Sequence, residues 1–322
     1  MRPFVALVAI ACTLIAAGGA RAPLPTAMEA PAWSPGDYWE YRFNSTFENT
    51  VFLNGTVRAD ILSVANRTIR GVPQDVYVVP TAGAGSLEGA FSRFNASVPV
   101  SGLWNLTGEQ LFSTTSRKVV KSLIDITASG QAMILNVPFT LVWINSTSSR
   151  VARDDWVYPV PVGFTGTVTL NSSLSEDVFL QLDSNPPLNF TSSVEAEVTF
   201  TASLPAISRV TVPLGTFDTY TIRESWPDGS REEFEFAPQV GNNARTTTYN
   251  ASGAEVSRTE LVSYAYRAAA PSSNPLGAYL VFAGVGVGVA AAILLAWFVA
   301  RRRRREREYT PPSLREPPTS GP

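Results

Sequence analysis

The chain contains no histidine in 322 residues and a single cysteine. Without histidine, the commonest metal ligand and the usual general base near neutral pH are both missing. Zinc-dependent hydrolysis and Ser-His-Asp chemistry are thereby excluded. Cys12 lies in an N-terminal apolar stretch, so the region after it has no disulfide to form. Stability has to come from packing and strand pairing. Lysine is nearly absent too, with only Lys118 and Lys121. Thr115 stands three residues before Lys118, so neither Ser113 nor Ser116 meets the S-x-x-K spacing of a Ser/Lys nucleophile. No D-x-D-x-D-G calcium loop occurs. The carboxylate clusters Asp154-Asp155, Glu176-Asp177 and Glu232-Glu233 with Glu235 read as solvated faces of an acidic surface. No catalytic residue, metal or cofactor is expected.

What is present divides into three parts. Met1 and Arg2 precede an apolar run from Phe4 to Ala17 and the small residues before Pro23, the pattern of a secretory signal peptide over 1–22. Cleavage after Ala20 is preferred to Ala22, because Pro23 would follow the latter directly. From Leu276 to Ala300 there is no charge, a length sufficient to cross about 30 Å of hydrocarbon as a transmembrane helix. Arg301, Arg302, Arg303, Arg304 and Arg305 follow immediately and orient it, with the tail 301–322 cytoplasmic and the body extracellular. Gly284, Gly288 and Ala292 form a small-xxx-small stripe that would suit a weak homodimer. The tail after Arg307 is Pro-rich and polar.

Between these ends lie a Pro/Ala-rich leader (23–35), a body (36–267) and a short stalk (268–275). The body and anchor together, 23–300, carry about −8 and the tail about +4. An acidic body is a poor nucleic-acid binder, and that partner class is set aside. Period-two alternation dominates. In "VEAEVTFTASL", Val194, Ala196, Val198, Phe200, Ala202 and Leu204 share one face, with Glu195, Glu197 and Thr199 on the other. Asn54-Gly55, Pro227-Asp228-Gly229 and Asn250 to Gly253 read as turns, the last joining "ARTTTY" to "EVSRTELVSY" as a hairpin. Only Leu111 to Ile126 suggests a helix. The fold class is mainly β, an antiparallel sandwich or curved half-barrel. Asp37-x-Trp39-x-Tyr41 is echoed by Asp154-x-Trp156-x-Tyr158, which would divide the body into similar lobes 36–150 and 151–267.

Asn-x-Ser/Thr occurs at Asn44, Asn54, Asn66, Asn95, Asn105, Asn145, Asn171, Asn189 and Asn250. Chance would give roughly three such sites for this composition. The excess, confined between the signal peptide and the apolar helix, fits an exported glycoprotein.

"WSPGDYWEYRF", Trp33 to Phe43, resembles the W-x-x-G-D-x-W-x-Y opening of membrane-anchored surface proteins of archaea. "VTVPLGTFDTYTI", Val210 to Ile222, followed by "FEFAPQVGNNARTTTY", resembles their V-P-x-G-T-F-x-x-Y strand pair and β-rich envelope domains similar to the lipoprotein-carrier half-barrel. The pattern departs at Asn242-Asn243, where a hydrophobic continuation is expected. The resemblance implies an envelope location and a fold, and no catalytic residues. Physically, Pro213 ends a strand, Gly215 supplies an unusual backbone angle, and Phe217 and Tyr220 pack inward. The expected function is a non-enzymatic, membrane-anchored surface glycoprotein with an envelope-structural, adhesion or binding role, with other envelope proteins among the expected partners. The alternatives are a carrier of a lipid or other apolar ligand, and a hydrolase using paired carboxylates.

Overall fold

The computed structural model describes residues 24–47, 50–93, 96–132, 137–183 and 187–267. Fifteen strands follow in chain order: β1 (Ala27–Met28), β2 (Tyr38–Phe47), β3 (Val51–Asp60), β4 (Ser63–Ile69), β5 (Val72–Arg93), β6 (Ala96–Ser113), β7 (Val119–Ala132), β8 (Val137–Asp154), β9 (Val160–Pro161), β10 (Phe164–Leu182), β11 (Leu188–Val212), β12 (Gly215–Ser225), β13 (Arg231–Ala237), β14 (Asn242–Tyr249) and β15 (Glu255–Ala265). No described residue is helical. Twelve of the strands close an antiparallel barrel in the order β3-β2-β15-β14-β13-β12-β11-β10-β8-β7-β6-β5, with β5 returning to β3. The short β4 continues along the edge of β5 beyond β3. The mainly β, antiparallel expectation is met, and the open sandwich or half-barrel is replaced by a closed ring.

Shear makes the ring large. Following directly opposed residues once around leads from Gly166 on β10 back to Leu182 on the same strand, a stagger of sixteen residues. With strands ~4.8 Å apart and rising ~3.3 Å per residue, twelve strands so staggered tilt by about 40° and enclose a radius of about 12 Å. Small side chains from one wall could not fill that width. Trp39, Tyr41, Phe43, Trp104 and Trp143 form a buried cluster inside it, joined by Trp33 from the segment before β2. Each buried Trp removes on the order of 200 Å² from water, worth about 5 kcal/mol before entropy is counted. A second cluster gathers Met28, Trp156, Phe200, Ile222, Phe234 and Phe236.

The Pro/Ala-rich stretch ahead of β2 is therefore part of the core and not a loose leader. Met28 pairs with Val160. The Trp33 indole N–H donates to the Gly241 carbonyl at 2.8 Å, and Trp39 donates to Val240 at 2.7 Å. Asn54-Gly55 is not a turn either: it lies inside β3, where Gly55 opposes Gly85 of β5. A Cβ at Gly55 would collide with the Ala84 carbonyl and the Trp104 ring. The glycine is required by a close approach of two strands under a tryptophan. The helix suggested at Leu111 to Ile126 is instead the end of β6, a turn and most of β7. Ser113 Oγ accepts the Thr115 and Ser116 N–H groups in that turn. Beyond it Ser122, Ile124, Ile126 and Ala128 alternate inward with period two. The D-x-W-x-Y echo marks unlike places, β2 in one case and the link from β8 to β9 in the other, and strands from both halves close one ring.

Other turns form as expected. Val212 ends β11 before Pro213, and Gly215 opens β12 at φ +148°. Asn250 Oδ1 accepts the Ser252 and Ala254 N–H groups and the Ser252 hydroxyl, holding the β14–β15 hairpin. Because neighbouring strands alternate in direction, β2, β5, β7, β10, β12 and β14 all finish at one end of the barrel, where β3, β6, β8, β11, β13 and β15 begin. The start of β2 and the end of β15 share the other. Asp37 ties these two together: its carboxyl accepts the N–H of Ser34 at 2.8 Å and of Arg267 at 3.0 Å.

Candidate functional site in two buried carboxyl clusters

Strand β13 places Glu232, Phe234 and Phe236 on one face and Glu233 and Glu235 on the other. On β12, Tyr220, Ile222 and Glu224 continue the first face. Glu224 and Glu232 are directly opposed across the two strands and are only 8% and 1% exposed. Burial pushes the Glu224 carboxyl up to about 7, with Lys118 drawing it down and Asp154 raising it. Burial also holds the Glu232 carboxyl well above the ordinary range, and the neighbouring Glu224 adds to this. Thr248 on β14 donates its hydroxyl to Glu232 Oε1 at 3.2 Å. Lys118, just before β7, bonds Asp154 at the end of β8, Nζ to Oδ2 at 2.6 Å, with both side chains mostly enclosed.

The opposite face holds a second acid in different company. Glu235, 9% exposed, receives hydroxyls from Ser208 at 2.6 Å, Thr219 at 2.7 Å and Thr221 at 3.2 Å on its Oε2. Arg245 Nη2 stands 3.9 Å from Oε1. Thr219 and Tyr220, adjacent in β12, are 0% and 1% exposed, so both faces of the sheet are covered here. The β11–β12 turn reaches across the sheet, Leu214 N–H donating to the Leu261 carbonyl at 3.4 Å.

The acidic clusters are thus not simply solvated. Asp154 is paired inside, while Asp155 is held low by Arg153 and by the Thr167 N–H on a surface patch. Glu232 and Glu235 are enclosed, and Glu233 meets Arg223 at 2.9 Å on the outer face. No group of three or more His, Cys, Asp or Glu among the described residues is arranged to hold a metal ion. Lys118 reaches Asp154 and not a serine, so no Ser/Lys pair is assembled there. Glu224 escaped sequence reasoning. A signal was available: it and Glu232 each continue an apolar alternation, Tyr220-Ile222 and Phe234-Phe236, at an inward position.

Of the sequons, Asn66, Asn105, Asn171 and Asn189 are exposed, and Asn44, Asn54 and Asn250 are half-buried. Asn44 and Asn54 are opposed across β2 and β3. Asn145 is 3% exposed, so the folded barrel has no room for a glycan there. Asn95 lies outside the described residues, as do Gly284, Gly288, Arg301 to Arg305 and the signal and apolar segments. No helix of the described residues is long and apolar enough to cross a membrane. Comparison with protein-family models, curated proteins and solved structures gave no match for this chain.

Proposed function

We propose that this protein is a single-pass, membrane-anchored surface glycoprotein whose closed barrel stands outside the membrane in a non-enzymatic, structural or binding role. The reading is carried by the shared end at which the chain begins β2 and leaves β15, pinned by Asp37 to Arg267. The uncharged stretch 276–300 begins nine residues after Arg267, and its five arginines follow it directly. The opposite end of the barrel, where β2 finishes and β15 begins, then lies farthest from the membrane. Asn44, Asn54, Asn189 and Asn250 all sit toward that end, where glycans would shield strand ends. The motif resemblance to archaeal surface proteins supports the same location.

The described space beside Trp33, Trp39 and Phe112 is about 10 Å³, the size of a single water, and by itself lends no support to carriage of an apolar ligand.

The test uses the full chain in a membrane-bearing host that glycosylates asparagine. Protease added to intact cells should degrade the body and leave a membrane-bound fragment containing 276–322. Glycosidase should lower the mass of the body in several steps. A body protected from protease, or without glycan, would overturn the reading.

A further inference from the structure

The acids of the β12–β13 hairpin lie at its closing end, one residue from Ser225 and one from Arg231. Three carboxyl groups, Asp154, Glu224 and Glu232, meet one cation, Lys118, which is already bonded to Asp154. No ion pair from another element reaches the two glutamates among the described residues. Thr248 of β14 contributes a neutral hydroxyl. The residue opposing Glu224 on β11 is Ala202, and Ser257 of β15 opposes Thr248. Arg223 and Arg231 face the other way and are both engaged with Glu233. In the turn, Asp228 is held by the Ser230 N–H and hydroxyl. Two ionised carboxylates on opposed, enclosed residues would therefore repel without a counter-charge.

We propose that Glu224 and Glu232 form a proton-held latch: with their carboxyls protonated the closing end of β12 and β13 stays shut, and loss of those protons as pH rises loosens it. The chain has no histidine, so no ordinary side chain titrates near neutrality, and these acids take that part. The direction follows from linkage. Both carboxyls hold protons more tightly folded than unfolded, so the folded state is favoured fully below about pH 4.5 and loses that advantage as pH rises through the folded values. Glu224, moved to about 7, alone corresponds to roughly a 300-fold change in the folding equilibrium constant.

The full-length protein in detergent micelles is unfolded with urea at pH 5, 6.5 and 8, and amide exchange of 224–232 is followed after correction for intrinsic rates. The wild type should shift toward unfolding by roughly several hundredfold or more from pH 5 to 8, about 70-fold of it from Glu224 and the rest from Glu232, with faster exchange localised to 224–232. Glu232→Gln keeps an acceptor for Thr248 and removes one charge. It should reduce that shift at least tenfold, whereas Glu233→Gln on the opposite face should leave it unchanged. A wild-type stability that is flat or rises over this range overturns the latch, as does a Glu232→Gln protein that falls as steeply as wild type. If that variant does not fold, Glu224→Gln is read in the same way. If neither folds, wild-type exchange decides, and the absence of pH-dependent opening at 224–232 sinks the proposal.

Discussion

Glu232 and Glu235 lie three residues apart on one strand, both nearly enclosed, yet they occupy opposite chemical settings. Glu235 gathers three hydroxyls and stands near an arginine, so its lone pairs find donors where water is excluded. Glu232 receives the Thr248 hydroxyl and faces a second acid, Glu224. Burial of a carboxyl is costly in either place, and the donors decide which form is tolerated. The β11–β12 wall supplies Ser208, Thr219 and Thr221 to one face, while aromatic rings line the other.

The sharpest way to break this contrast is to remove Glu235. Glu235→Ala should leave three converging hydroxyls without their acceptor and cost about 3 kcal/mol by urea titration; a loss below 1 kcal/mol would mean that the hydroxyls re-pair among themselves. Lys118→Met should cost a comparable ~3 kcal/mol near neutral pH, because Asp154 is left enclosed without its cation. It should also move the Glu224 midpoint upward, since Lys118 draws that value down; a carboxyl infrared band titration would show the direction. Smaller and more diagnostic is the pair Thr219→Val and Thr248→Val. The first should cost about 1.5 kcal/mol and the second nearer 0.5 kcal/mol, because Thr219 bonds its acid at 2.7 Å within a set of three converging hydroxyls, whereas Thr248 makes a single, longer bond of 3.2 Å. Equal costs would erase the distinction between the two faces. Arg58→Ala, which removes an exposed pair with Asp60, is the weakest perturbation and should change stability by less than about 0.5 kcal/mol.

Much of the wall was legible in the residues themselves. The alternation from Val194 to Leu204, the Trp39-Tyr41 face and the stop at Pro213 all appear where period and turn chemistry place them. Asn54-Gly55 misled because the same dipeptide serves a tight turn and a close strand crossing, and only the opposing Gly85 and Trp104 tell them apart. The segment 24–35 misled for a related reason. Proline and alanine suggest a leader, but Met28 and Trp33 are placed by partners more than a hundred residues away, Val160 and Gly241.

The site was legible by half. Alternation assigns Glu232 and Glu235 to opposite faces, since successive side chains on a strand point in opposite directions. It does not say whether either face meets water, so the sequence alone makes an acidic run read as solvated surface. Local sequence sets strand, turn and face because those depend on backbone and near neighbours. Closure of twelve strands with a stagger of sixteen, the covering of both faces around β12 and the meeting of Glu224 with Glu232 depend on contacts far apart in the chain. Only the tertiary structure could turn a run of acids into one acid caged by hydroxyls and one enclosed pair that holds its protons tightly.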